Sequence, residues 1–141
     1  MSVDIKIQVV IKRFPDGQVL RRSNYKDGKL NGLQEEWFLG GQISRRENYT
    51  DGKLNLREEW YPSGQLLDRE NFKEGERHGL REGWCKDGKI CFRINYKNGK
   101  RHGIQEDYGE DGEQKVIIRY YLNGLSVTEE EYTKADWPKA R

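Results

Sequence analysis

Apolar and polar residues alternate in short runs, and each run stops at a glycine placed after a turn-forming residue. Such glycines fall at 17, 28, 41, 52, 64, 75, 88, 99, 112 and 124, so a turn recurs every 11–13 residues. Asp-Gly, Asn-Gly and Ser-Gly are hairpin dipeptides. About 7–9 residues remain for each run, an ordinary strand length. No run is long enough for a crossover helix plus a strand, so successive strands are antiparallel neighbours. The pattern predicts an all-β fold, a single elongated and twisted antiparallel meander of about ten strands, two per repeating unit.

Period-two alternation assigns the faces. Leu33, Glu35 and Trp37 share one side of a strand, and the pattern returns as Leu56/Glu58/Trp60, Leu80/Glu82/Trp84 and Ile104/Glu106/Tyr108. In the strand that follows, one column starts at Val19, Ile43, Leu66 and Ile90 and ends at Tyr25, Tyr49, Phe72 and Tyr96. The opposite column holds Arg22, Arg46, Arg69 and Arg93 with Asn24, Asn48, Asn71 and Asn95. This predicts one face built of Leu, Trp, Tyr and Ile ladders and a second face that is charged and wet. Stacked identical side chains contribute about 0.2–1 kcal/mol per cross-strand pair.

The ends depart from the repeat, as capping units do. Val3, Ile5, Ile7, Val9 and Ile11 alternate with polar residues, so 3–13 reads as a capping edge strand. Residues 14–127 carry the repeats. At the other end Thr128 is followed three residues later by Glu131, a capping-box spacing, with Glu129 and Glu130 in the first turn and Pro138 beyond. A short helix over 128–137 is expected to cover the last strand. The whole of 1–141 is read as one repeat domain.

Composition alters this picture little. Of 141 residues 33% are hydrophobic and 35% charged, which by average hydropathy approaches a disordered chain. The 11% aromatic content at fixed spacing argues for order, since few rings bury much surface. A net charge of +2 gives little support for nucleic acid as partner. No apolar run spans a bilayer and the first residues do not resemble a secretory signal, so a soluble protein in the cytoplasm is expected. Cys85 and Cys91 form no framework, which makes a reducing compartment the default.

The glycine and aromatic spacing resembles a known family. Tyr25-Gly28-Gly32-Trp37-Gly41, Tyr49-Gly52-Trp60-Gly64, Phe72-Gly75-Gly79-Trp84-Gly88 and Tyr96-Gly99-Gly103-Tyr108-Gly112 are similar to the MORN-type repeat in its divergent variant of about 24 residues. The resemblance implies an elongated meander of hairpins, in agreement with the pattern. Two departures stand out: the unit at 54–60 lacks its second glycine and is one residue short, and the last unit has one extra residue near Arg119–Tyr121. A bulge or bend is expected at both. The closing TEEEY segment is similar to small repeat proteins of giant DNA viruses of amoebae, which implies a host-cytoplasm or virion setting. A bacterial set of YwqK-like proteins, labelled antitoxins, shares the repeat.

Candidate chemistry is sparse. His78 and His102 occupy one repeat position without further ligands in register, so we read polar turn residues and no metal site. Cys85 and Cys91 flank the Asp87-Gly88 turn, where a disulfide is conceivable, although space-filling fits their variable columns better. Glu35, Glu58, Glu82 and Glu106 stand on an apolar column and need partners, a Tyr hydroxyl or Arg on the next strand. Four equivalent carboxylates argue for structure rather than acid–base work. No phosphate-cradling glycine motif occurs, and no cofactor is expected.

These readings converge on a non-enzymatic scaffold for protein–protein interaction or assembly. The ladder Tyr25, Trp37, Tyr49, Trp60, Phe72, Trp84, Tyr96 and Tyr108 would be structural. Partner contacts are expected where copies differ, at an outer patch near Phe38 and Tyr61. Self-association through the sheet edge or the aromatic face is a further expectation. One turn edge is modestly basic, strongest at Lys97, Lys100 and Arg101, and would suit an anionic phospholipid surface. The MORN resemblance also implies phospholipid binding, and the YwqK-like resemblance an antitoxin-like inhibitor.

Overall fold

A computed structural model describes residues 4–109 and 116–135. They form a single sheet of eleven strands, each hydrogen-bonded to its sequence neighbours. The strands are β1 (Ile7–Arg13), β2 (Val19–Lys26), β3 (Lys29–Trp37), β4 (Ile43–Thr50), β5 (Lys53–Trp60), β6 (Leu66–Lys73), β7 (Glu76–Trp84), β8 (Ile90–Lys97), β9 (Lys100–Asp107), β10 (Ile117–Leu122) and β11 (Leu125–Val127). One helix, α1 (Glu129–Lys134), follows. Every pairing is antiparallel and the order is sequential, the meander that the turn spacing predicts.

The two long edges are closed by different turns. Between β2 and β3, β4 and β5, β6 and β7, β8 and β9, and β10 and β11, the pairs Asp27-Gly28, Asp51-Gly52, Glu74-Gly75, Asn98-Gly99 and Asn123-Gly124 all have positive φ at both residues. That is the tight two-residue hairpin whose twist matches the strands, and only Asp, Asn and Gly enter it easily. On the other edge the chain turns through residues such as Asp16-Gly17 and Asp87-Gly88, where only the glycine has positive φ. There Phe14, Phe38, Tyr61 and Cys85 donate their N–H to Gln18, Gln42, Gln65 and Lys89 carbonyls.

The two faces differ from expectation. Glu35 pairs with Arg46, Glu58 with Arg69 and Glu82 with Arg93, so the Arg22/46/69/93 row lies on the tryptophan side rather than opposite it. Tyr49 lies on the other face, bonded through its hydroxyl to Glu47, and Phe72 lies beside Arg57 on that same face. The rings therefore do not stack along one side: Trp37, Trp60 and Trp84 occupy one face, and Tyr49, Phe72 and Tyr96 the other. The cause is a register shift in each unit. Glu36 pairs with Arg45 but Trp37 with Ile43, which leaves Ser44 extra and turns Ile43 to the tryptophan side. Counting by twos through that bulge carries the column to the wrong face.

Neither face is simply apolar. Leu33, expected in the ladder, is 42% exposed, and the most buried side chains on the tyrosine face include Glu47 and Glu70, each 3% exposed. The short unit does carry a bulge: Asn48 pairs with Leu56 and Tyr49 with Leu54, one residue being extra where its counterparts have a glycine-containing excursion. The expected irregularity at Arg119–Tyr121 is not found, for Ile117–Tyr121 pairs continuously with Asp107–Gly103.

The ends follow the capping expectation in shorter form. β1 begins at Ile7, although the Lys6 carbonyl already accepts from Asp27. The capping box is formed, with Thr128 Oγ1 accepting from Glu131 N–H and the Glu131 carboxylate accepting from Thr128 N–H. Helix α1 stops at Lys134 because Ala135 is extended. Its buried Tyr132 lies 5.2 Å from the Tyr120 ring. Val3, the Gly112 turn, residues 136–137 and Pro138 lie outside the described residues.

Candidate functional site

The sheet's chemistry lies in charge rows that cross the strands. On the tryptophan face Arg46 bonds Glu35 at 3.2 Å, Arg69 bonds Glu58 at 3.0 Å and Arg93 bonds Glu82 at 3.2 Å. The Tyr108 hydroxyl serves Glu106. These are the partners expected of the four carboxylates. The same arginines cover rings, Arg46 at 5.5 Å from the Trp60 centroid and Arg69 at 5.8 Å from Trp84. A guanidinium that bonds a carboxylate and stands over a ring uses both of its interaction modes. Each exposed ion pair contributes about 0–1 kcal/mol, so the rows act as a network rather than as strong single bonds.

The tyrosine face carries a second network that sequence reasoning missed. Glu47 accepts from Arg57 at 3.2 Å and from the Tyr49 hydroxyl at 2.8 Å. Burial, then the hydrogen bond to Glu47, pushes the Tyr49 hydroxyl up to about 12. Glu70 lies among Arg77 at 2.6 Å, Arg81 at 3.8 Å and Arg57 at 3.9 Å. Three guanidiniums thus surround one buried carboxylate and compensate its charge. The available signal was the column Ser23, Glu47, Glu70, Ile94, an inner position that varies between copies of the repeat.

The two histidines have a shared structural role. His78 Nδ1 accepts the backbone N–H of Asn98 at 3.4 Å, and His102 Nδ1 that of Asn123 at 3.1 Å. Asn31 does the same for Asp51 through Oδ1. Each side chain thus holds the first residue of the next tight turn. Burial, and then the charge of Lys97, lowers the His102 pKa from its ordinary value.

Cys85 and Cys91 are joined as a disulfide, with Cα atoms 5.5 Å apart across the Asp87-Gly88 turn. This corrects the expectation of two space-filling thiols: Cys91 occupies the bulge position of Ser44, which brings it over the neighbouring strand end. Phe38 and Tyr61 are half-buried at the turn edge. Tyr61 donates its hydroxyl to the Trp84 carbonyl at 2.8 Å, linking consecutive turns, whereas Leu39 beside Phe38 is exposed. Lys97 and Lys100 are exposed at the opposite edge, and Arg101 bonds the Tyr121 hydroxyl. The structure therefore separates these five residues into two sites on opposite edges. A cleft of about 550 Å³ on the tryptophan face near β1 is lined by Ile11, Val19, Arg22 and Trp37.

An open, eleven-stranded meander of near-identical hairpins is a β-repeat architecture. The family profile described as MORN repeat variant matches residues 53–74, the β5–β6 hairpin with its flanking turn. That match and the meander together support a MORN-type repeat protein. No curated protein matches the chain. Among the described residues no helix is long and apolar enough to cross a membrane.

Proposed function

We propose that the chain is a non-catalytic scaffold that binds a protein partner along its sheet. The observation that carries this reading is the commitment of repeated carboxylates to repeated arginines on both faces, Glu35, Glu58 and Glu82 on one and Glu47 and Glu70 on the other. Groups held that way build a surface rather than a reaction centre. The apolar material left exposed at the Phe38–Leu39 turn supplies a contact patch. Its test is retention of a protein from a lysate of the source organism by the intact chain. Retention is expected to disappear when Phe38 and Leu39 are both changed to Ser. Capture that is indifferent to both changes defeats this surface, and no capture at any salt defeats the scaffold.

The basic turn edge favours a second reading, a membrane-surface adaptor. The hairpins bearing Lys26/Lys29 and Lys97/Lys100 lie on one edge, although Lys53 is already taken by Glu74 at 2.7 Å. Sedimentation with anionic vesicles over a salt series checks it, and vesicle binding that survives Lys97→Glu with Lys100→Glu removes it. The antitoxin-like reading rests on the resemblance to YwqK-like proteins alone.

A further inference from the structure

Strand β1 occupies the place of a repeat strand but not its chemistry. Ile11 pairs with Arg22 where Glu35 pairs with Arg46, and Lys12 pairs with Arg21 where Glu36 pairs with Arg45. Acid has been exchanged for isoleucine and lysine, so β1 cannot continue the alternating charge rows outward. What it offers is apolar. Ile7, Val9 and Ile11 stand on the tryptophan face beside Lys26, Asn24 and Arg22, and are 75%, 46% and 46% exposed; Ile5 is 59% exposed.

Among the described residues nothing pairs with the outer backbone of this strand. Lys6 turns both its groups to β2, its N–H to the Asp27 side chain and its carbonyl to the Asp27 N–H. Alternation along an antiparallel strand then turns the N–H and C=O of Ile7, Val9 and Ile11 to the free side. An edge with exposed isoleucines and unpaired backbone groups is a template for another strand. The opposite end of the sheet is short and lies under α1, whose Tyr132 covers Tyr120.

We propose that β1 pairs with β1 of a second copy of this chain, antiparallel, about a two-fold axis at Gln8. Self-complementarity selects both occupant and register. In this register Ile7 faces the partner's Val9 and Ile5 faces the partner's Ile11, which seals the apolar stripe on the tryptophan face and extends the cleft at Ile11, Val19 and Trp37. On the tyrosine face Asp4 comes opposite the partner's Lys12, which otherwise has Arg21 as its cross-strand neighbour. Among the alternatives, a two-fold at Ile7 leaves the exposed Ile11 without a facing apolar residue among the described residues, and one at Val9 sets Lys6 against the partner's Lys12 and Ile5 against the partner's Arg13, so charge disfavours it. The result is one continuous sheet from two chains, a closed dimer with no free β1 edge. The inference rests on the scaffold reading and names one partner within it.

Sedimentation velocity of the intact chain over a concentration series is the first test. A monomer–dimer equilibrium is expected, weakened at least tenfold by Ile7→Asp, whose exposed position leaves the melting curve unchanged at concentrations too low for the dimer to form. Single cysteines then read the register. Gln8→Cys is expected to cross-link on mild oxidation, because residues facing across a two-fold in a non-hydrogen-bonded pair lie at disulfide distance. Val9→Cys is expected to cross-link far more slowly, and the parent chain not at all. A monomer at every concentration, a dimer indifferent to Ile7→Asp, or cross-linking through Val9 but not Gln8 each overturns the proposal. A monomer that still retains a protein through Phe38 and Leu39 sinks the dimer while leaving the scaffold standing.

Discussion

The second and third units bury a carboxylate where the fourth buries isoleucine. Glu47 and Glu70 pair across the strands with Arg57 and Arg81, whereas Ile94, in the same column, pairs with Arg81 and Gln105. The neighbouring column changes too: Asp68 pairs with Gly83, and Phe92 pairs with Gly83 from the other side. Arg81 marks the boundary. Towards β6 it bonds Asp68 at 2.9 Å, and towards β8 it lies 5.3 Å from the Phe92 ring. One backbone thus accepts two kinds of inner face, ionic and apolar, provided that each charge keeps a partner and each gap a side chain.

The ionic half should be the more sensitive to loss of a single group. Glu70→Gln leaves Arg57, Arg77 and Arg81 around a neutral amide. Breaking a fully buried pair costs about 3–5 kcal/mol, and partial exposure of these arginines reduces that to about 2–3 kcal/mol. Urea unfolding of the variant measures it. A loss no larger than that from Arg93→Gln, in an exposed pair, would mean that burial of Glu70 does not amplify its role.

The apolar half should fail by overfilling instead. A methyl at Gly83 would run into the Phe92 ring, because Phe92 takes the room that a side chain fills at Glu36 and Glu59. Gly83→Ala is expected to cost about 2 kcal/mol. Phe92→Leu in the same chain should recover part of it, read as a positive coupling in a double-mutant cycle. Additive losses would show that the ring moves aside freely.

The comparison also explains what the sequence made legible. Turn dipeptides set strand number and order because they act locally, and the capping box at Thr128 was readable for the same reason. The partners of Glu35, Glu58 and Glu82 could be expected because an unpaired carboxylate among rings is costly. Face assignment was not legible, because Ser44 and its counterparts bulge out of register and no residue type announces a bulge there. The Glu70 cluster needed that assignment first: its three arginines come from β5 and β7, and only the true register brings them to one carboxylate.

A smaller contrast separates His102 from Asn31, which hold equivalent turns. The folded pKa of His102 is lowered, chiefly by burial, so the fold favours its neutral form. Its contribution is complete above the ordinary imidazole value of 6.5 and is lost as pH falls through that value towards the lowered one. His102→Asn is expected to remove this part of the acid dependence of the melting midpoint while keeping the turn bond. An unchanged acid limb would place the titrating group elsewhere.

The smallest effect is expected at the β6–β7 turn. Glu74 holds the left-handed conformation, φ 53°, that Asp27, Asp51, Asn98 and Asn123 hold in the other hairpins of that edge. A long side chain gains no local hydrogen bond to offset that conformation, whereas Asn does. What Glu74 has instead is the exposed bond to Lys53, which lowers its own pKa and raises that of Lys53. Solvent and salt weaken such a pair, while the backbone preference is independent of salt. Glu74→Asn should therefore raise the melting midpoint slightly, and by more at high salt than at low salt. If the midpoint falls at every salt concentration, the Lys53 bond outweighs the conformation, and the glutamate belongs with the charge rows rather than with the turns.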